Sequence, residues 1–82
     1  MLLIDTAAEY TAGGISDIAR TAYFGTERVP KEKSNAYTRV VMGVINFERA
    51  VWPEDASITG QDMEVLARQA LWKAGLNYGH GT

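Results

Sequence analysis

Two short runs near the N-terminus have the pattern of β-strands. Residues Leu2–Tyr10 open with consecutive apolar side chains, and Ile15–Phe24 alternates in part between apolar and polar positions. The segment Thr11–Gly14 between them ends in two glycines, which favour a turn. Two strand-like runs around a glycine-containing loop predict a β-hairpin.

A helical pattern follows the loop Gly25–Val29. Pro30 suits the first helical turn, where a missing N–H costs nothing, and Pro53 is expected to end the helix near Val51 or Trp52. Apolar side chains recur between the two prolines at helical spacing, and we expect them to form the core-facing stripe: Tyr37, Val40, Val41, Val44, Phe47 and Val51.

A second helical pattern lies between Thr59 and Gly75. Thr59 is the expected N-cap, with Asp62 three residues later as in a capping box, and Gly75 occupies the place of a C-terminal glycine. The apolar stripe of this helix is Met63, Leu66, Ala67, Ala70, Leu71 and Ala74. The segment 77–82 is expected to be a loop or the start of a strand.

The order strand, strand, helix, helix predicts an α+β fold, with an N-terminal β-hairpin followed by two α-helices. A two-stranded hairpin is marginally stable in water and can hardly cover the apolar faces of two helices. We therefore expect further sheet, or self-association of the chain, to cover these faces.

Composition and charge narrow the possible partners. The 82 residues allow one small domain or part of a larger one, and the chain has no cysteine. A net charge of -2 argues against a nucleic-acid ligand. No apolar run approaches the roughly 20 residues that span a bilayer, and the N-terminus has no signal-peptide pattern. We expect no membrane partner and a cytoplasmic location.

Asp5 and Asp17 are the first candidates for chemistry. Each lies among apolar residues in a predicted strand, where carboxylates are usually paired or bound to a metal. On adjacent antiparallel strands, the two oxygen ligands could hold a divalent cation. The alternatives are two solvated edge-strand carboxylates, or an ion pair between Asp17 and Arg20.

His80 is the only histidine of the chain. Glycines on both sides of it allow close approach to a ligand, but a solvated histidine fits the same pattern. No glycine-rich phosphate loop, zinc-binding helix motif or serine nucleophile elbow is present, and no residue is assigned to an organic cofactor.

Six strings in collinear order together resemble the Xaa-Pro aminopeptidases (aminopeptidase P). The N-terminal pair resembles the family strands "LIDSGAQY" and "DITRT", and the remaining four resemble "YTxVLKGHI", "AVFP", "LDxLARxxLWxxGL" and "YGHGT". In this chain they are Leu3–Tyr10, Asp17–Thr21, Tyr37–Ile45, Ala50–Pro53, Asp62–Leu76 and Tyr78–Thr82.

The resemblance implies that residues 1–82 are a partial catalytic domain with the pita-bread (creatinase/aminopeptidase-like) fold. The family releases the N-terminal residue from proline-containing Xaa-Pro peptides with a divalent metal centre, often manganese. By resemblance, Asp5 and Asp17 are two metal ligands, and His80 contacts substrate and assists proton transfer.

The other family ligands, one histidine and two glutamates, follow the position of Thr82. The resemblance therefore implies that this chain alone binds metal weakly and is inactive. The alternative is a non-catalytic interaction module that retains the start of the fold.

The spacing of the two aspartates departs from the family pattern. They are twelve residues apart, whereas the family usually has eleven. Because side chains alternate between the faces of a strand, one extra residue turns Asp17 away from Asp5 unless something compensates. We expect a three-residue loop or a bulge at Gly13–Gly14 to absorb it.

Overall fold

The computed structural model describes all residues, Met1–Thr82, as two strands followed by two helices. The elements are β1 (Leu2–Glu9), β2 (Ile15–Ala22), α1 (Lys31–Glu48) and α2 (Glu64–Trp72). This order confirms the predicted α+β class. Neither helix combines the length and the hydropathy needed to cross a membrane.

The hairpin is an antiparallel pair closed by a three-residue loop. The Tyr10 N–H donates to the Gly14 carbonyl at 3.1 Å, and the Gly13 N–H donates to the Tyr10 carbonyl at 3.0 Å. Gly13 has φ of +93°, a conformation that other residues rarely adopt. This is the arrangement of a type I turn followed by a glycine bulge, so the expected compensation is present.

Helix α1 begins later and ends earlier than the pattern suggested. Pro30 precedes the helix instead of lying inside it, and the helix ends at Glu48 with Arg49 as its C-cap. The expected end near Val51 or Trp52 is wrong, and Val51 is 95% exposed. A proline ring clashes with the carbonyl four residues before it, which for Pro53 is that of Arg49, so the helix stops there.

The capping predicted for α2 is confirmed at its C-terminus but wrong at its N-terminus. The helix begins at Glu64 with Met63 at the N-cap position and no side-chain cap, so Thr59 is not its N-cap. The Asp62 carboxylate accepts hydrogen bonds from the Thr59 N–H and hydroxyl, both at 2.8 Å, and a tight turn leads into the helix. At the other end, the Leu76 N–H reaches the Leu71 carbonyl at 3.0 Å, and the Gly75 N–H reaches that of Trp72 at 3.0 Å. These two bonds form a Schellman motif.

The two helices pack through the small residues of α1. Gly43 is buried, and a Cβ atom placed on it would lie 2.9 Å from the carbonyl carbon of Ala67. The half-buried neighbours of Gly43 on this face include Ala36, Arg39 and Asn46. Apart from the half-buried Phe47, the α1 face that meets α2 is therefore small and polar.

The predicted apolar stripe of α1, apart from the half-buried Phe47, lies outside this contact. Tyr37, Val40, Val41 and Val44 are between 39% and 51% exposed. The expectation that this stripe packs on a core is wrong for this chain, because Gly43 lets the α2 backbone approach closely on the other side. The two tryptophans, Trp52 and Trp72, are also half exposed, at 47% and 48%.

The chain as a whole is open. Five of 82 residues are buried, and the hairpin makes no contact with either helix at the level of their backbones. The radius of gyration is 15.9 Å, whereas a compact chain of this length has about 12 Å. The buried residues are Gly43 of α1 and four residues in or next to α2, namely Met63, Arg68, Ala70 and Leu71.

Candidate metal and substrate site

Asp5 and Asp17 lie on the same face of the hairpin. In the strand register, Asp5 is opposite Ala19 and Asp17 is opposite Ala7. The two aspartates are therefore diagonal neighbours, a relation that separates Cα atoms by about 7–8 Å. The three-residue loop thus keeps both carboxylates on one side despite their spacing of twelve residues.

Both carboxylates are exposed and have no partner within the chain. The ion pair weighed for Asp17 does not form, because Arg20 lies on the opposite face and donates to the Ala19 carbonyl at 2.7 Å. The single salt bridge of the structure joins Arg68 to Glu64. The two carboxylates are thus free to coordinate a cation.

The donor set fits part of a metal site. Carboxylate oxygens suit hard divalent cations, but no group of three or more His, Asp or Glu side chains is placed to hold an ion. Asp5 and Asp17 can supply two ligands, with the remaining positions left to groups outside this set.

Arg68 is a buried charged residue, with 8% of its surface exposed. It makes more hydrogen bonds than any other side chain of the molecule. Its Nε donates to Glu64 Oε1 at 2.9 Å, and its Nη1 donates to Asn77 Oδ1 at 2.7 Å and to the Tyr78 carbonyl at 2.6 Å. Its Nη2 donates to the His80 carbonyl at 2.6 Å and lies 2.8 Å from Glu64 Oε1. These bonds attach the C-terminal segment, residues 77–82, to α2.

His80 stacks on a neighbouring aromatic ring within this segment. The ring centroids of Tyr78 and His80 are 4.7 Å apart. His80 Nδ1 lies 2.8 Å from the Gly81 carbonyl oxygen. Because a carbonyl oxygen only accepts hydrogen bonds, Nδ1 carries the hydrogen, and the neutral ring keeps its lone pair on Nε2. That lone pair can accept a proton.

Hydrogen bonds also lower the pKa of Glu64 below its ordinary value. The main cause is Arg68, which donates to the carboxylate, and the second is the Thr82 hydroxyl, while desolvation opposes the shift. The Tyr78 hydroxyl lies 2.7 Å from Thr82 Oγ1, and Thr82 Oγ1 donates to Glu64 Oε1 at 3.1 Å. Glu64 is therefore held as an anion at the base of the segment.

A cavity of about 500 Å³ adjoins His80. Its apolar wall comes from the outer stripe of α1 and from Ala67, and Tyr78 and His80 line its edge. No hydrogen bond or ion pair joins His80 to Asp5 or Asp17, so the structure brings the two aspartates together but not the histidine with them.

The sequence interpretation assigned no role to Arg68. A signal was available, since Arg68 borders the apolar stripe of α2 and lies four residues after a glutamate. Arginine is rarely buried unless its charge is paired, so a position beside an apolar stripe indicates buried polar contacts. Arg39 lies on the face of α1 away from the predicted stripe, and its Nη1 donates to the Ala70 carbonyl across the helix pair at 2.6 Å.

Comparison with known proteins gives a family and several relatives. The profile of metallopeptidase family M24 matches residues 1–82. Xaa-Pro aminopeptidase 2 of Mus musculus is 46% identical over 82 residues, which cover 100% of this chain and 11% of the relative. Xaa-Pro aminopeptidase ApepP of Drosophila melanogaster is 46% identical over 81 residues, covering 98% and 12%.

A probable Xaa-Pro aminopeptidase P of Aspergillus flavus is 45% identical over 80 residues, which cover 98% of this chain and 12% of the relative. The chain thus spans about a tenth of the length of these relatives. No solved structure gives a significant match. Since the family profile covers every residue, from the strand that carries Asp5 to the segment that carries His80, the chain belongs to metallopeptidase family M24.

Proposed function

We propose that this chain is part of the catalytic domain of a metal-dependent aminopeptidase that releases the N-terminal residue from Xaa-Pro peptides. The observation that carries the proposal is the shared face of Asp5 and Asp17, two unpartnered carboxylates on adjacent strands. The names of its relatives, Xaa-Pro aminopeptidases in vertebrates, insects and fungi, support the substrate class.

In this proposal Asp5 and Asp17 provide two of the ligands of a divalent metal, with manganese as the expected ion. When bound, such a metal polarises a carbonyl group and lowers the pKa of water. His80 contacts the peptide, and its Nε2 lone pair takes or returns a proton. The backbone of segment 77–82 holds the imidazole where this transfer requires it.

The chain alone is expected to be inactive. Two carboxylates without a third protein ligand do not fix the position of a metal. Incubation with Mn²⁺ and an Xaa-Pro peptide should therefore release no more amino acid than a heat-treated control.

A chimera tests the function directly. The matching segment of mouse Xaa-Pro aminopeptidase 2 is replaced by these 82 residues, which are 46% identical to it. We expect the chimera to retain Xaa-Pro hydrolysis. Asp5→Asn and Asp17→Asn should each lower kcat/KM by more than about 100-fold, because loss of an outer-shell partner already costs about 10–100-fold.

Glu9→Gln is the matched control for the chimera. Glu9 lies on β1 and on the same face as Asp5, so its neutralisation changes the local charge by the same amount. We expect it to have little effect. A folded but inactive chimera, or equal losses in the three variants, would contradict the proposal.

The second candidate is a non-catalytic interaction module. It is favoured by the exposed α1 stripe and by the free outer edges of both strands, which can pair with another chain. An active chimera that depends on Asp5 and Asp17 excludes this candidate, whereas a folded, inactive chimera favours it.

A further inference from the structure

We propose that Arg68 is the positioning residue of His80, holding the imidazole in place through the backbone of segment 77–82. The catalytic meaning of this inference rests on the proposed function, but the contacts that carry it do not. His80 is exposed, whereas Arg68, which bonds to its backbone, is buried.

The Arg68 guanidinium donates four hydrogen bonds and makes one ion-pair contact. An arginine carries five N–H groups in a rigid planar fork. Here Nε donates to Glu64, Nη1 donates to Asn77 and Tyr78, and Nη2 donates to His80 and lies 2.8 Å from the Glu64 carboxylate. The orientation of the fork is therefore fixed by α2 on one side and by the segment on the other.

Two of these acceptors are the main-chain carbonyls of Tyr78 and His80. No other donor within the chain reaches either carbonyl. Because they lie on both sides of Gly79, the fork fixes the direction of the backbone through a residue that would otherwise be free to rotate. The position of the His80 Cα therefore depends on Arg68.

The aromatic rings extend this control to the His80 side chain. Arg68 Cζ lies 3.8 Å from the centroid of the Tyr78 ring, a cation–π distance, and the same ring stacks with His80. Arg68 thus orients Tyr78, and Tyr78 orients the imidazole. Lysine can supply the charge but not the planar fork.

Nuclear magnetic resonance of the chain without metal or substrate provides the test. His80 is the only histidine, so its ring protons give an unambiguous signal. In the parent chain we expect backbone order parameters of about 0.85 for residues 78–81, and His80 ring signals displaced by the Tyr78 ring current.

Arg68→Met keeps the apolar stem and removes the fork, and Arg68→Lys keeps the charge. Both should lower the order parameters of residues 78–81 below about 0.6 and return the His80 ring signals to random-coil positions. Arg39→Met is the matched control, since Arg39 donates to a carbonyl across the helix pair without touching the segment. It should leave both readouts unchanged.

Circular dichroism separates positioning from folding. The inference requires the helical signal of at least one Arg68 variant to match that of the parent while the His80 signals move. A mobile segment in the parent, a rigid one in Arg68→Met, rescue by lysine, or loss of the helical signal in both variants would each overturn it.

A kinetic arm in the active chimera links the geometry to the reaction. Arg68→Lys should lower kcat by up to about 100-fold, the size expected when a catalytic group is displaced by about 1 Å. An unchanged kcat would overturn the catalytic role of the positioning. If the chimera itself is inactive, the resonance experiment still decides whether Arg68 holds His80, so the two failures are distinguishable.

Discussion

Two arginines connect separate parts of the helical half of the chain through main-chain carbonyls. Arg39 joins α1 to α2 through the Ala70 carbonyl, and Arg68 joins α2 to segment 77–82. Both donate to main-chain carbonyls, so their acceptors remain present whatever side chain that position carries. These polar contacts provide order in a chain with few buried apolar residues.

Glu64 makes the attachment of the C-terminal segment dependent on pH. Its pKa is lowered by Arg68 first and by Thr82 second, so its contribution is complete above its ordinary pKa of about 4.3 and is lost as the pH falls through the lowered value. We expect the His80 ring-current shift to be lost only in acid, at a pH below the ordinary glutamate pKa of about 4.3.

Glu64→Gln is the control for this acid transition. The variant cannot ionise, so its His80 signals should show a weaker attachment that does not change between pH 5 and pH 3. A transition of the same size in Glu64→Gln would assign the effect to another carboxyl group, of which Asp62, with its own lowered pKa from the Thr59 hydrogen bonds, is the nearest alternative.

Metal affinity is the second prediction at this scale. Asp5 and Asp17 offer two carboxylates, and water must fill the remaining positions, so calorimetric titration with Mn²⁺ or Zn²⁺ should show no tight site. A sub-micromolar dissociation constant that is lost in Asp5→Asn or Asp17→Asn, but not in Glu9→Gln, would contradict this expectation.

At the scale of the elements, the sequence predicted which segments form strands and helices but not which face of α1 is buried. Periodicity identifies the apolar stripe, yet the contact with α2 follows Gly43 and Arg39, which hydrophobicity alone does not distinguish. A close helix approach depends on the absence of a side chain. The shared face of the two aspartates could be predicted from strand alternation and the turn. The role of Arg68 could not, because it depends on where the carbonyls of the C-terminal segment lie, which residue spacing does not reveal.

Gly43→Ala should separate the helices. The added Cβ meets the backbone of Ala67, which cannot move independently of α2, and such overpacking costs typically about 1–3 kcal/mol. We expect a lower midpoint in thermal unfolding followed by circular dichroism. Gly60→Ala is the control, because its Cβ would meet nothing within 4 Å. An unchanged Gly43→Ala midpoint would show that the helices do not cross at this glycine.

The surface of the whole molecule is large for its mass. It exposes 6984 Å², about 2,000 Å² more than a compact protein of this size. The hairpin and the α1 stripe account for most of its exposed large apolar side chains. Each ~100 Å² of apolar surface left in water forgoes about 2.5 kcal/mol, which is a large share of the stability of a small domain.

Self-association follows from this surface. We expect the chain to form a dimer or a larger assembly at micromolar concentration, by pairing of strand edges or by contact of the α1 stripes. Sedimentation equilibrium should show a mass above that of the monomer, and the melting temperature should rise with concentration. A monomer of 9.0 kDa with a cooperative melt independent of concentration would contradict the prediction.

The loop that closes the hairpin also affects how relatives of this chain are found. Three residues separate the paired Tyr10 and Gly14. A relative with a two-residue loop reaches the same strand pairing with its aspartates eleven apart. Gaining or losing one residue in the loop leaves the strand pairing unchanged. The same change inside β1 or β2 would move the side chains beyond it to the opposite face of the hairpin. A motif search that fixes the gap at eleven misses chains such as this one, so the pattern should allow a variable gap at the turn.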